Sequence, residues 1–241
     1  MTIAADFRMA LDPTVLFREA FGQEPHDWQR EYLREDEPTV INKGRQVGAS
    51  QSAAALAIHS CRYWPNTNAV IVSPSLKQST EIATKARVGL YALHERLIQD
   101  SASMLRLANG SRILSLPGTA KSVRGWTARL LIIDEAAYID PETFTAARAL
   151  VATGGRLVVQ STPADETGAF FDLVTDTPQG WASFEVPSAS VPSISAEFLA
   201  SERKSMTADE YAREYECRFG KAGASLFNLR QVDSLVLQEA V

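Results

Sequence analysis

The stretch that most constrains this chain is residues 38–63. An apolar run, PTVIN, ends in the turn KGRQVGAS, and an alanine-rich helical stretch follows as far as Tyr63. Strand, glycine turn and helix, in that order, are what a phosphate-binding loop requires. Backbone N–H groups converge there at a helix N-terminus, where the dipole favours a polyphosphate. The usual spacing is G-x-x-x-x-G-K-S/T. Aligned on Gly48 and Ser50, this chain has Lys43 in place of the first glycine and Ala49 in place of the lysine. Lys43 and Arg45 are the cations able to supply the missing charge from the start of the loop, and Ser50 keeps the hydroxyl that would coordinate Mg2+. A plain glycine turn between a strand and a helix accounts for the same residues without a ligand, so other segments must decide.

Leu130-Leu131-Ile132-Ile133-Asp134-Glu135 is four apolar residues followed by two carboxylates. On a parallel strand those acids sit at the carboxyl edge, where open α/β sheets bind ligands. Asp134 would hold Mg2+, and Glu135 would orient and deprotonate an attacking water. The competing account is that Glu135 only begins a helix, where acids are favoured. VVQSTP (158–163) is another apolar strand that ends in polar residues, Gln160, Ser161 and Thr162, placed to sense a γ-phosphate. Trp28-Gln29 lies shortly before the loop; a glutamine amide pairs with the N6 and N7 edge of adenine, although such a pair also fits an ordinary amphipathic helix.

Short apolar runs alternate with helical stretches along the whole chain, the pattern of a mainly parallel sheet covered by helices. Helices are expected over 13–22, 26–35, 49–63 and 76–98, and strands at 69–73, 130–134, 156–160 and 181–186. Asn109-Gly110, between alternating segments, marks a β-hairpin. Asp140 with Pro141 starts a further helix, a short one follows at 167–174, and Thr207-x-x-Glu210 is a capping box that opens the last. Residues 1–222 thus read as one α/β domain and 223–241 as a linker.

Composition excludes several classes. The 241 residues are 45% hydrophobic and 22% charged, which is ordinary for a globular domain. No apolar run approaches the ~20 residues of a membrane span. The two cysteines and three histidines form no metal-type spacing. Net charge is −5, yet between Asp100 and Asp134 there is no acid, while Arg106, Arg112, Lys121, Arg124 and Arg129 all occur. That segment is able to face phosphates, or to be a solvated face with counter-charges supplied by the fold.

Taken together, PHDWQREYL (25–33), GRQVGASQS (44–52), SVRGWTARLLIIDEAAYI (122–139) and QSTP (160–163) resemble the ATPase domain of the terminase large subunit of tailed bacteriophages, over roughly residues 20–220. The resemblance implies a three-layer RecA-like P-loop fold with a mainly parallel central sheet and a β-hairpin excursion. It implies ATP and Mg2+ as cofactors. Some members carry a deviant loop whose lysine has moved to its start, which matches Lys43 with Ala49 at the vacated place. Nucleotide would then lie against Gly44, Arg45, Gln46, Val47, Gly48, Ala49, Ser50 and Gln51. By resemblance Lys43 contacts phosphate with Arg45 assisting, Ser50 and Asp134 bind Mg2+, and Glu135 is the catalytic carboxylate. Gln29 reads adenine, Ser161 and Thr162 couple hydrolysis to movement, and Arg124 is a finger reaching a neighbouring subunit's site. The implied partners are double-stranded DNA, a portal protein, a small terminase subunit and further copies in a ring, with no membrane. The implied location is the host cytoplasm, transiently on the viral procapsid. Family members normally continue into a nuclease domain, whose activity is not expected of residues 1–241.

Two other classes stay open on the sequence. A non-hydrolysing nucleotide-binding module is favoured by Ala49, and a DNA-binding assembly scaffold by the basic stretch 106–129. A helicase-like translocase shares the loop and the D-E strand but needs a second domain of the same kind.

Overall fold

The computed structural model of the chain describes residues 2–220; the expected linker at 223–241 lies outside the described residues. Three helices open the chain, α1 (Ile3–Leu11), α2 (Pro13–Phe21) and α3 (Asp27–Arg34), followed by β1 (Thr39–Lys43) and α4 (Ala49–Tyr63). Next come β2 (Asn68–Ser73), α5 (Leu76–Ala92), β3 (Leu97–Asp100), β4 (Met104–Leu107), β5 (Arg112–Pro117) and α6 (Ala120–Val123). The remainder is β6 (Leu130–Asp134), α7 (Pro141–Arg148), β7 (Arg156–Ser161), α8 (Ala169–Thr175), β8 (Ala182–Val186), α9 (Ala196–Ser205) and α10 (Ala208–Glu216).

One sheet runs in the order β3-β4-β5-β2-β6-β7-β1-β8. Every pairing from β5 to β8 is parallel, and β3 and β4 extend that edge antiparallel. The apolar runs are continuous because the central strands are buried on both faces, and their residues divide between the faces with period two. Ile41, Ile71, Ile132 and Val158 join the core under α1 to α5. Val40, Val70, Val72, Leu131, Ile133 and Val159 join the core under α6 to α8. The result is three layers, as expected. The alanines of α4 serve close packing: Ala53, Ala54, Ala55 and Ala57 are fully buried.

Three features differ from the sequence expectation. Residues 3–11 are helical, capped by the Thr2 hydroxyl. The helix expected over 76–98 stops at Ala92, because His94 adopts a left-handed φ of 57° and turns the chain into β3. The hairpin at Asn109-Gly110 forms, with Gly110 at φ 87° and Leu105 opposite Ile113. It is no excursion, however: β5 pairs along its length with β2 and is a full member of the sheet. No helix among the described residues is long and apolar enough to cross a membrane.

His59 ties α4 to α1 and carries a pH dependence. Its Nε2 lies 3.1 Å from the Ala10 carbonyl, its ring packs edge-on to Tyr63 and Trp64, and burial holds its pKa below the usual value. A depressed histidine pKa means the unfolded chain binds the proton first, so this stabilisation is complete above the ordinary histidine range and is lost as pH falls through it toward the folded value. Urea unfolding between neutral and mildly acidic pH should show stability declining, and His59→Asn should flatten that decline.

Candidate nucleotide site

The carboxyl ends of β1, β6 and β7 lie side by side in register, Asn42 beside Ser161 and Asp134 beside Gln160. The parallel sheet therefore gathers three segments that lie far apart in sequence. Between β1 and α4 the chain turns through Gln46 at φ 61° and Gly48 at φ 89°. Gly44 donates to Val186 O and Arg45 to Glu214 O. Beyond them, the N–H groups of Gln46 to Ser50 have no protein acceptor among the described residues. They converge at the N-terminus of α4, which is the arrangement an anion site needs.

Lys43 reaches across the mouth of this loop. Its Nζ lies 2.9 Å from Glu135 Oε1, and the two side chains are only 9% and 23% exposed. Glu135 adopts a left-handed φ of 51°, which aims the residue after the strand back at the loop; its other oxygen accepts from Ser161 Oγ at 3.3 Å. Asp134 is buried and accepts from Gln160 Nε2 at 2.7 Å. Burial pushes the Asp134 carboxyl above the usual range, with the Lys43 ammonium pulling it back. Two carboxylates and one ammonium thus share a largely desolvated space, as sites adapted to charged ligands do.

Lys43, Asp134, Glu135 and Ser161 come together as the sequence implies, with Thr162 buried behind them. Ala49 belongs to the hydrophobic core, and Lys43 is the cation that reaches across the mouth of the loop. Arg45, expected to assist it, has its guanidinium paired with Glu214 of α10. Gln51 reaches outward to Gln23 Oε1 at 3.5 Å. The adenine-reading role expected of Gln29 does not match its contacts. Its Oε1 accepts the His26 N–H at 2.8 Å, and its Nε2 donates to Ser52 Oγ at 2.9 Å and to the Gly48 carbonyl at 3.2 Å. A Cβ at Gly48 would stand 2.7 Å from that nitrogen. Gln29 therefore braces the loop from below. Arg124 stands apart, exposed, 3.0 Å from Glu142 at the start of α7.

Sequence reasoning missed the outer wall of the loop. Ser188 Oγ donates to the Arg45 carbonyl at 2.7 Å, and Asn42 Nδ2 donates to the Cys217 carbonyl at 2.8 Å. Gly44 is held so closely by Ser188 and Tyr215 that a Cβ there would fall 2.8 Å from the Ser188 nitrogen. Only the capping box of α10 signalled that helix in the sequence; nothing local showed where it docks.

The donor set fits Mg2+ with a polyphosphate. Among the described residues no group of three or more His, Cys, Asp or Glu forms a protein-only metal site, and Mg2+ is commonly held by one or two carboxylates together with phosphate oxygens and water. Asp134 and the Ser50 hydroxyl, in the first turn of α4, are the groups that would hold it. Gln29→Ala would leave the Gly48 carbonyl, Ser52 hydroxyl and His26 N–H without this partner. It should cost about 1–3 kcal/mol in chemical denaturation and weaken nucleotide binding by loosening the loop.

Residues 40–233 match the family model of the terminase large subunit, T4likevirus-type, N-terminal. Solved structures agree in fold. The large terminase ATPase domain of Thermus phage P74-26 superposes with a TM-score of 0.76 at 21% identity, covering 87% of this chain and 100% of that one. The large terminase of the thermophilic bacteriophage D6E, in complex with ADP, gives 0.66 at 12% identity, covering 86% of this chain and 52% of that one. The HK97 bacteriophage large terminase gives 0.67 at 14%, covering 82% and 51%. The chain thus spans an entire ATPase domain in the first case and about half of the protein in the other two. It belongs to the terminase large-subunit family and has the fold of that family's ATPase domain.

Proposed function

We propose that this chain is the ATP-hydrolysing motor of viral DNA packaging, moving double-stranded DNA into a procapsid. The observation that carries this reading is the 2.9 Å contact between Lys43 and Glu135 at the mouth of a loop whose N–H groups are open to a phosphate. Both Glu135 oxygens have partners, Lys43 on one and Ser161 on the other, so the carboxylate is not free to act as a base. The phosphates of ATP compete for the Lys43 ammonium; once they draw it away, one Glu135 oxygen is released toward the attacking water. Loading of the site and activation of the base are then a single event. Mg2+ bound to Asp134 and Ser50 would neutralise charge on the phosphates. Ser161, which contacts Glu135 directly and also accepts the Ala137 N–H, links the state of that carboxylate to the segment after β6.

Arg124 completes the reading as a finger acting on a neighbouring copy in a ring. Its pair with Glu142 is solvent-exposed on both sides, and such pairs are worth little, so the side chain is available to a neighbour. The partners on this reading are DNA, the portal protein, the small terminase subunit and further copies of the chain. The place of work is the host cytoplasm, transiently on the procapsid, with 223–241 leading onward from the motor domain.

In a Mg-ATP binding titration, Lys43→Ala should weaken affinity about 10–100-fold, the loss of one charge-assisted contact. Glu135→Gln should bind ATP much as wild type does and lose about 10²–10⁴ in turnover. Absence of nucleotide binding by the wild-type chain would remove the motor reading and favour a DNA-binding scaffold. For Arg124→Ala, turnover in the assembled ring should fall about 10³-fold or more while the isolated domain keeps its ATP affinity; full ring activity would end the finger assignment.

A further inference from the structure

The acid-free stretch between Asp100 and Asp134 divides in the fold. Lys121 and Arg124 go to the α6 region, whereas Arg106, Arg112 and Arg129 collect at the amino-terminal edge of the sheet. Arg112 begins β5, Arg129 precedes β6, and Arg156 begins β7. Asn68 lies beside Arg112 in register, and Arg106 lies directly opposite it on β4. The Arg129 N–H donates to the Asn68 carbonyl, and the Arg156 N–H to the Arg129 carbonyl, so the row is continuous across β5, β2, β6 and β7. With strands about 4.8 Å apart, three steps make about 14 Å, the rise of roughly four base pairs. Strands of this length place the row about 15 Å from the nucleotide edge.

These arginines lack the carboxylate partners that most others among the described residues have. None of the four has a carboxylate within 4.0 Å among the described residues, although like charges face each other at Arg106 and Arg112. Aromatic rings and neutral oxygens hold three of them instead. Arg129 lies 4.0 Å over the Trp64 ring, Arg112 lies 5.4 Å over Trp126, and Arg156 donates to the Tyr32 carbonyl at 2.9 Å. Arg129 and Arg156 line a cavity of about 230 Å³ with Trp64, Ser60 and the single carboxylate Asp36. Lining it are two buried donors with no partner among the described residues, Arg156 Nε and the hydroxyl of Ser60, a residue only 7% exposed. A second hollow, of about 250 Å³, shares Arg129 and adds Asn66, Thr67, Thr127 and Thr153. Burial pulls the pKa of both Arg129 and Arg156 below the usual arginine value, opposed through space by Asp36 for Arg129 and by Tyr32, Asp36 and Glu35 for Arg156. An anion placed here would relieve that cost.

We propose that this amino-terminal edge, centred on Arg129, binds the phosphate backbone of double-stranded DNA. The proposal rests on the packaging reading for the identity of its ligand and adds the surface that grips it. Guanidinium groups in a row, short hydroxyl and amide side chains, and no acid in contact are the make-up of a sequence-independent phosphate contact. The nucleotide site and the DNA grip would then stand at opposite ends of the same strands.

The test is anisotropy of a short labelled duplex with the full chain over a NaCl series, for wild type, Arg129→Glu, the double variant Arg112→Ala/Arg129→Ala, and Lys121→Glu as a charge control from the same stretch. Arg129→Glu should weaken duplex binding by about tenfold or more, and the double variant should flatten the log–log salt slope by about one for each arginine removed. Lys121→Glu should stay close to wild type, and Mg-ATP affinity should be unchanged throughout. If Arg129→Glu unfolds, the double alanine variant carries the test alone. Wild-type binding insensitive to both changes, or no duplex binding by wild type at low salt, overturns the proposal. Tighter binding of an acidic polypeptide than of the duplex at this edge would overturn it in favour of a protein partner. No duplex binding by wild type with Lys43-dependent ATP binding intact removes this surface and leaves the nucleotide reading standing; no ATP binding by wild type with arginine-dependent duplex binding intact does the reverse.

Discussion

The ion pair between Lys43 and Glu135 is the interaction on which the rest of the site depends. It joins the last residue of one strand to the first residue after another, 92 positions away in sequence. It survives burial because the two charges compensate each other, and breaking such a pair from one side leaves an uncompensated charge at a cost of about 3–5 kcal/mol. Asp134, buried beside it and pushed toward the neutral form, adds a second carboxylate that a single ammonium cannot fully offset. The protein's own groups are therefore short of positive charge at the carboxylates and short of negative charge at the loop N–H groups. A metal ion and a polyphosphate would supply one of each.

The loop is held from two sides. From below, Gln29 spans the His26 N–H, the Gly48 carbonyl and Ser52; from outside, Ser188, Glu214 and Cys217 take hold of residues 42–45. The outer group belongs to the segment after β8, so a shift of the loop on losing a phosphate would be felt at α10, the last helix among the described residues. The fixed backbone of residues 44 and 45 also explains why the anion-binding N–H groups begin only at Gln46.

The sheet was largely legible in the sequence for a physical reason. β1, β2, β6 and β7 are buried on both faces, so their apolar runs are uninterrupted, and the polar residues that end them gather at the carboxyl edge. Asp134, Glu135, Lys43 and Ser161 were recognisable on those grounds. β3 was not, because three of the four residues of this edge strand, Ile98 to Asp100, are exposed and carry no alternation. The end of α5 was hidden because His94, not glycine, takes the left-handed turn. Gln29 and Arg45 were given ligand roles by resemblance; the partners a glutamine or arginine takes within the protein are decided by elements that only folding brings near, here the loop carbonyl for one and Glu214 for the other.

Net charge conceals the most consequential pattern in the chain. At −5 the molecule looks ill suited to a polyanion, yet sign is partly sorted along the strands: carboxylates gather where β6 ends and guanidiniums where β5, β6 and β7 begin, with Glu35, Asp36 and Glu37 ahead of β1 as acids at that same edge. The sorting follows from topology, since parallel strands stack their first residues on one edge and their last on the other, so that a residue type repeated at strand starts becomes a row. A motor needs its fuel site and its track contact to be separate, so that phosphate on one does not compete with phosphate on the other, and yet rigidly joined. Five residues of buried parallel strand satisfy both conditions, because a hydrogen-bonded sheet core transmits displacement with little give.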